Sequence, residues 1–372
     1  MDPKPASAWS SGRVAMPSAF VLFLLLFLSG FAQAADETGT FSIVAYDSTT
    51  GELGVAVQSR VFGVGPRVAW VRGGVGAIAT QAMSNESFGP RGLELLAAGL
   101  SASETLAWLL EHDPQAANRQ VGVVDAQGRA ANWTGEKCMV WAGDSAGVGF
   151  TCEGNILAGP EVVSEMARAF LASPGEELAR RMIAALEAGQ AAGGDKRGQQ
   201  SAAILIGRPH PEFPEYAERY VDIRVEDSPQ PIAELRRLYE MYEAQGLVQA
   251  HTRFAAWKEA AGDPAGARSE RERVGRTLVK MLERDGRDAE MLNSLAWFAA
   301  TNDLYLGEAE EAARRAVDLE PENANILDTL GETLFRRGKI KEAIAVEERA
   351  IGLAPEDAYL KDQLERFREA SR

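Results

Sequence analysis

The stretch Thr40–Asp47, reading Thr-Phe-Ser-Ile-Val-Ala-Tyr-Asp, constrains this chain more than any other. Apolar or β-branched residues occupy almost every position, so it reads as a strand buried on both faces, not one alternating between core and water. A strand of that kind belongs in the middle of a domain. It begins with a hydroxyl residue just downstream of an export signal, and function depends on whether Thr40 becomes a free N-terminus.

Lys4 and Arg13 precede an apolar run over residues 19–28, followed by Ser29, Gly30 and the small-residue pattern Ala32-Gln33-Ala34. That order is a secretory signal spanning residues 1–34. The run is too short for a permanent membrane span, and no cysteine follows the cleavage region to accept a lipid, so a periplasmic or secreted product is expected. Residues 35–39 then form a short propeptide or linker.

In an oxidising compartment the only two cysteines, Cys138 and Cys152, invite pairing. They flank Asp144-Ser145-Ala146 symmetrically, and the segments 137–141 and 148–152 read as a hairpin with the thiols across from one another. A disulfide and two buried thiols both fit, because directly opposed ladder positions often have poor disulfide geometry. Two cysteines without histidine partners make no metal site. Gly63-Val64-Gly65-Pro66 fails the dinucleotide fingerprint, and no cofactor is expected. The net charge of -15, with no basic block, argues against nucleic acid as a partner.

Strands are predicted at residues 53–59, 68–71, 75–82, 120–125, 129–133, 201–206 and 220–225. Helices are predicted at 90–98, at 103–112 with Ser103 or Ser101 as cap, at 161–172 and at 176–188. Strands, paired helices, strands, paired helices, strands make a layered α+β domain. Asp227-Ser228-Pro229-Gln230-Pro231 punctuates the chain, which places this domain at 40–228. A helical connector at 229–285 follows, with a helix at 232–242 able to pack back on the first domain and a degenerate repeat around Phe254, Gly262-Asp263 and Ala267.

Residues 286–372 carry self-similarity. Leu327, Leu330-Gly331, Leu334, Gly338-Lys339, Ala343, Ala350 and Pro355 fall at the spacing of a tetratricopeptide repeat, with Ala309, Ala316 and Pro321 one repeat earlier. Leu292, Leu295, Ala296 and Ala299 complete that earlier unit if one residue is inserted near Thr301-Asn302-Asp303. Tyr359, Leu360, Leu364 and Phe367 then make a capping helix. An array this short must lean on the upstream helices or on the first domain.

His112, His210 and His251 are the only histidines, each in a helix end or a Pro-rich loop, and each reads as a surface residue. Chemistry that needs no histidine therefore comes first. An N-terminal threonine carries nucleophile and base in one residue: its hydroxyl attacks an amide carbonyl while its α-amine, of pKa about 8, takes the proton.

Several segments together resemble the bacterial and archaeal family called domain of unknown function 1028. They are Thr40–Asp47, Gly51-Glu52-Leu53-Gly54-Val55-Ala56-Val57-Gln58-Ser59-Arg60, Gly74-Val75-Gly76-Ala77-Ile78-Ala79-Thr80-Gln81-Ala82, Gly89-Pro90-Arg91-Gly92-Leu93, Arg119-Gln120-Val121-Gly122-Val123-Val124-Asp125, Gly154-Asn155-Ile156-Leu157-Ala158-Gly159-Pro160 and Gly193-Gly194-Asp195-Lys196-Arg197-Gly198-Gln199-Gln200-Ser201-Ala202. The resemblance runs from Thr40 to about Leu238. It implies a four-layer αββα sandwich of the N-terminal nucleophile hydrolase kind and an amidohydrolase activity on a small-molecule or peptide amide. Glu153 departs from the family pattern, standing where a glutamine is usual.

Thr40 is the expected nucleophile once Gly39-Thr40 is cut. Signal peptidase should cut after Ala34, since a cut after Gly39 would put Glu37 where a small residue is wanted, so exposing Thr40 needs a second, autocatalytic event. Ser59 and Arg60 are placed to orient the nucleophile, and Thr80, Gln81 and Asn85 to offer oxyanion donors. Arg60, Asp195 and Arg197 are expected to bind a charged or polar substrate group. The repeats point to a protein partner or a second copy of the chain. The alternative is a non-catalytic binding or scaffold protein built on the same sandwich and repeats.

Overall fold

The computed structural model describes residues 39–209, 217–285 and 288–371. The expected signal segment and His210 lie outside the described residues.

The α+β region is built from two antiparallel sheets. In the six-stranded sheet, β1 (Thr40–Asp47) lies between β2 (Glu52–Ser59) and β8 (Phe150–Asn155). Strand β9 (Ser201–Pro209) and then β10 (Ala217–Val225) continue beyond β2, and β7 (Gly143–Gly147) closes the other side. The four-stranded sheet runs β3 (Ala69–Arg72), β4 (Gly76–Ala82), β5 (Arg119–Asp125) and β6 (Ala130–Thr134). Seven of the eight β1 residues are buried, so the run with no alternation is the strand with two covered faces.

Alternation still governs which way each β1 side chain points. Phe41, Ile43 and Ala45 pack against Val162 and Met166 of α3 (Glu161–Leu171) and Met182 and Ile183 of α4 (Leu178–Ala191). Val44 points the other way, into a layer with Val55, Val57 and Leu205 that meets Val71, Ala77, Ala79 and Val124 of the second sheet. That sheet's far face, with Ile78, Val121 and Val123, is covered by α1 (Phe88–Ala97) and α2 (Ala102–Glu111). Each such Val, Leu, Ile, Phe or Met side chain contributes about 1.5–3 kcal/mol of burial. Helix α2 starts at Ser101, whose hydroxyl accepts from the Glu104 amide while Glu104 reaches back, a reciprocal cap.

The cysteine hairpin is differently registered from the sequence expectation. Its strands are β7 and β8, with Gly147 opposite Phe150, so the turn falls at Val148-Gly149 and not at Asp144-Ser145-Ala146. Gly149 has φ +79°, which only glycine adopts freely, and Val148 is fully in solvent. Cys152 consequently faces Ser145 across the ladder, while Cys138 lies outside it, its thiol on the Arg119 carbonyl. Both thiols are free and buried. Residues 65–68 also form one helical turn, with Pro66 at its start, where an uninterrupted strand series was expected.

The core does not stop at the Asp227–Pro231 punctuation. Ile232, Leu235 and Tyr239 of α5 (Pro231–Tyr242) and Ala250 and Phe254 of α6 (Val248–Ala260) share one cluster with Phe41 and Met166. Helix α7 (Pro264–Asp285) turns back at Gly262, φ +76°, to run against α6. Four helices then form two pairs: α8 (Ala289–Thr301) with α9 (Leu306–Leu319), and α10 (Ala324–Arg336) with α11 (Ile340–Leu353). Helix α12 (Ala358–Glu369) caps them with Leu360, Leu364 and Phe367 buried.

Asp288, Asn323 and Asp357 cap the first helix of each successive unit. The first interval is one residue longer than the second, which is the expected insertion near residue 302. Asp303 and Tyr305 take it up in left-handed backbone. Leu295, Ala299 and Ala309 of the first pair pack on Val248, Val274, Leu278 and Met281 of α6 and α7, so the array leans on the connector as a short array must.

The connector is held to the sheet by buried charge. His251, expected at the surface, is fully buried on α6 because its imidazole sits between two carboxylates, Nδ1 2.7 Å from Glu270 and Nε2 3.4 Å from Glu177. Arg208 of β9 meets Glu270 at 2.7 Å and Glu52 of β2 at 3.6 Å, and stacks 4.1 Å over the Phe254 ring. Arg273 closes the group on Glu177 at 2.7 Å and Glu52 at 3.6 Å. Burial works against the His251 imidazolium, but hydrogen bonds to Glu177 and Glu270 outweigh it and hold the pKa above its ordinary value. Such a histidine contributes stability below its unfolded pKa and loses it as pH rises through the folded value. Glu270→Gln should lower the unfolding free energy at pH 6 by about 3 kcal/mol, leaving Arg208 and His251 under-compensated in a dry site. Urea denaturation checks this, and the loss should shrink as pH rises and His251 becomes neutral.

Candidate functional site

Strand β1 delivers Thr40 to the centre of the larger sheet, opposite Ser59 on β2 and Asn155 on β8. Residues directly opposite in a ladder share a face, so all three side chains point into the layer between the sheets. Thr40 is 3% exposed and Gly39 before it is also buried.

The Ser59 hydroxyl donates to the Gly39 carbonyl at 2.5 Å, and Thr40 Oγ1 lies 3.0 Å from Ser59 Oγ. A hydroxyl has one proton to give, so with Ser59 donating to Gly39 the Thr40 hydroxyl must donate to Ser59. The order is Thr40 O–H to Ser59 O–H to Gly39 O=C. Arg197 Nη2 supplies a second donor to the same carbonyl, at 2.8 Å. Asp195, 2% exposed, aims that guanidinium through contacts of 2.7 Å to Nη2 and 3.1 Å to Nε, and accepts the Arg197 backbone N–H at 2.9 Å. The loop is itself fixed, with Asp195 bridged to Leu157, two residues beyond β8, and its carbonyl accepting from Gly198 N–H.

One turn of pleat along from Thr40 starts a buried polar network that ties the sheets together. The Ser42 hydroxyl lies 2.8 Å from Gln81 Oε1 and 2.9 Å from Glu153 Oε1, with one proton to share between the two oxygens. Gln81 donates to Gln120 Oε1 at 2.9 Å, which also accepts from Asn155 Nδ2 at 3.0 Å. Gln120 in turn donates to the Gly154 carbonyl at 2.9 Å. Asn155 Oδ1 is buried without a hydrogen-bond partner on the strand beside Thr40.

Glu153 sits in this network with no cation. Burial pushes its carboxyl up to about 8, against the lowering hydrogen bonds from Ser42 and from Thr151 at 3.1 Å. At neutral pH the group is a neutral acid, close in shape and polarity to a glutamine. Gly122 makes the room, since a Cβ there would fall 2.4 Å from Glu153 Oε1.

The expected site residues thus divide. Thr40, Ser59, Asp195 and Arg197 converge on the Gly39 carbonyl. Arg60 follows the strand that Ser59 ends and is exposed, with Nη1 on Gln200 at 3.1 Å, at the rim formed by the 195–200 loop. Gln81 is in the network, spent on Ser42, Gln120 and the Glu153 carbonyl. Thr80 contacts the Asn85 carbonyl at 3.4 Å. Asn85 is committed to a turn with Ser87 and to Asp113, which Arg119 holds at 2.8 Å, and so serves the end of β4. Sequence reasoning passed over Ser42, Gln120 and Asn155 as site neighbours. Their polar side chains at inward positions of otherwise apolar strands were the available signal. Among the described residues no group of three or more histidine, cysteine or acidic side chains is arranged to hold a metal ion.

A family model described as a family of unknown function, DUF1028, matches residues 40–235. The chain belongs to this family. A crystal structure of a family member from Silicibacter pomeroyi is similar over 55% of this chain and 86% of its own, at 31% identity and a TM-score of 0.50. Tetratricopeptide-repeat domains are also similar. The Sgt2 repeat domain from Aspergillus fumigatus matches 31% of this chain and 78% of its own at 20% identity and a TM-score of 0.24. The second repeat domain of human RPAP3, solved with an HSP70 peptide, matches 34% of this chain and 98% of its own at 18% identity and a TM-score of 0.24. No curated protein matches the chain.

A carboxyl whose folded pKa is raised gives stability that is full below the unfolded value and falls as pH rises toward the folded one. Glu153→Gln should therefore leave stability near pH 4 almost unchanged and raise it by about 1–3 kcal/mol at pH 8, where the ionised form is buried without a cation. Thermal melting of both proteins across that range reads the difference directly.

Proposed function

We propose that this protein is an exported amidohydrolase of the N-terminal nucleophile type that cuts its own Gly39-Thr40 bond and then uses Thr40 as nucleophile. The observation that carries the reading is the pair of donors on the Gly39 carbonyl, Ser59 Oγ at 2.5 Å and Arg197 Nη2 at 2.8 Å, with the Thr40 hydroxyl hydrogen-bonded to the first of them. Two donors on one carbonyl stabilise the negative charge that develops when it is attacked. Two sheets packed between two pairs of helices agree with a four-layer αββα sandwich of this class.

In self-cleavage Thr40 Oγ1 bonds to the Gly39 carbonyl carbon, its proton passes to Ser59, and the Ser59 proton passes to the former carbonyl oxygen. Collapse breaks the bond to the Thr40 nitrogen, which takes a proton back and becomes a free amine, leaving Gly39 as an ester on Oγ1. Water hydrolyses that ester, releasing the segment that ends in Gly39. The amine, with pKa about 8, then serves as base for attack on a substrate amide. Asn155 Oδ1, unpartnered beside Thr40, is an acceptor available to orient it.

The tetratricopeptide-like array is read as a protein-binding module, since stacked helix pairs present extended surfaces to peptides and other domains. Among the described residues no helix is long and apolar enough to cross a membrane.

Intact mass of the protein purified from its natural compartment should place the first residue at Thr40. A first residue of Ala35 rejects the reading. Thr40→Ala should leave the bond after Gly39 intact, and Ser59→Ala should slow its cleavage by about 100-fold, the scale of one lost oxyanion donor.

A further inference from the structure

Gly39 lies against the Asp195 carboxylate. The space beside it is what forbids a side chain. A Cβ built on Gly39 falls 2.8 Å from both oxygens of Asp195 and 2.9 Å from its Cγ. Real carbon contacts do not come that close, so one of the two groups must move.

Asp195 has little freedom to do so. Its carboxylate accepts the Arg197 backbone N–H at 2.9 Å and the Arg197 guanidinium at 2.7 and 3.1 Å. Its backbone is bridged to Leu157, and its side chain is fully buried. Moving the carboxylate would also release Arg197 from the Gly39 carbonyl.

We propose that Asp195 is a specificity-determining residue that restricts the acyl site to groups with a CH2 at the α-carbon, a glycyl-type acyl group. The inference rests on the reading of Thr40 as a self-released nucleophile. Self-cleavage and substrate hydrolysis then each pass through an ester on the same atom, Thr40 Oγ1. In each the Oγ1–carbon bond forms, the carbon–nitrogen bond breaks, the departing nitrogen takes a proton and water later hydrolyses the ester. A substrate acyl group therefore occupies the volume that Gly39 occupies here, with its carbonyl on Ser59 and Arg197 and its α-carbon facing the Asp195 carboxylate. An L-alanyl or larger acyl group presses a methyl into that carboxylate.

The test uses the full chain. Cleavage after residue 39 is followed by intact mass in wild type, Gly39→Ala, Asp195→Ala and the double variant, with thermal melting to confirm that each folds. Gly39→Ala should slow cleavage by about 100-fold in a chain that still folds, the rate equivalent of forcing one methyl into a packed contact. In the Asp195→Ala background the same change should cost nothing further, because the obstructing group is gone. The cleaved wild-type chain is then offered the p-nitrophenyl esters of N-acetylglycine and N-acetyl-L-alanine, and the acyl group on Thr40 is read by mass. The glycine ester should acylate about 100-fold faster, and Asp195→Ala should bring the two rates together.

Equal cleavage of wild type and Gly39→Ala overturns the inference while leaving Thr40 as nucleophile, as does an equal penalty in both backgrounds. Equal acylation by the two esters, or none by either, overturns it as well. A folded wild-type chain that is never cut after Gly39 removes the proposed function and this inference with it, and the mass of that one sample distinguishes the cases.

Discussion

Strand β1 has no face left for water, and the rest of the structure follows from that constraint. Phe41, Ile43 and Ala45 require one pair of helices, while Val44 requires a second sheet. A one-residue slip would exchange these two sets, so the register is strongly held. The same rigidity serves Thr40 and Ser42, the polar residues on the inter-sheet side. Buried polar groups must find partners, and theirs come from the neighbouring strands and from the second sheet. The candidate site is the consequence of starting a doubly buried strand with a hydroxyl.

Arg197 and Asp195 come from far along the chain, and their contribution depends on each other. An arginine near a carbonyl can adopt many rotamers, but one held by a carboxylate through two of its nitrogens has a fixed fork. The Asp195 backbone is in turn bridged to Leu157, just past β8, the strand that borders β1. Donor and carbonyl are thus positioned by the same sheet. That shared frame distinguishes a prepared polar site from an accidental contact.

The helical region is joined to this frame more closely than a linker would join it. The aromatic and aliphatic side chains of α5 and α6 complete the core that begins at Phe41, and the cluster around Glu52, Arg208, His251 and Glu270 ties them to β2 and β9. Only then do the two repeat-like helix pairs begin, stacked on α6 and α7. An array of two units has too little internal interface to stand alone, and here the connector provides the missing neighbour.

The order of strands and helices, the buried character of β1 and the repeat spacing with its inserted residue were legible in the amino-acid sequence. Periodicity, cap residues and local composition carry that information over short windows. The sequence also marked Ser59, Asp195 and Arg197, but not what they meet. That they converge on the Gly39 carbonyl was decided by tertiary structure, because β2, β1 and the 195–200 loop are adjacent only once the sheet has formed. Tertiary structure also buried His251, which local composition assigned to the surface, since two carboxylates from different elements surround it. It moved the cysteine hairpin to a register set by a left-handed glycine. It made Glu153 a neutral acid, because a carboxyl's charge state depends on the solvent and partners that folding removes or brings near.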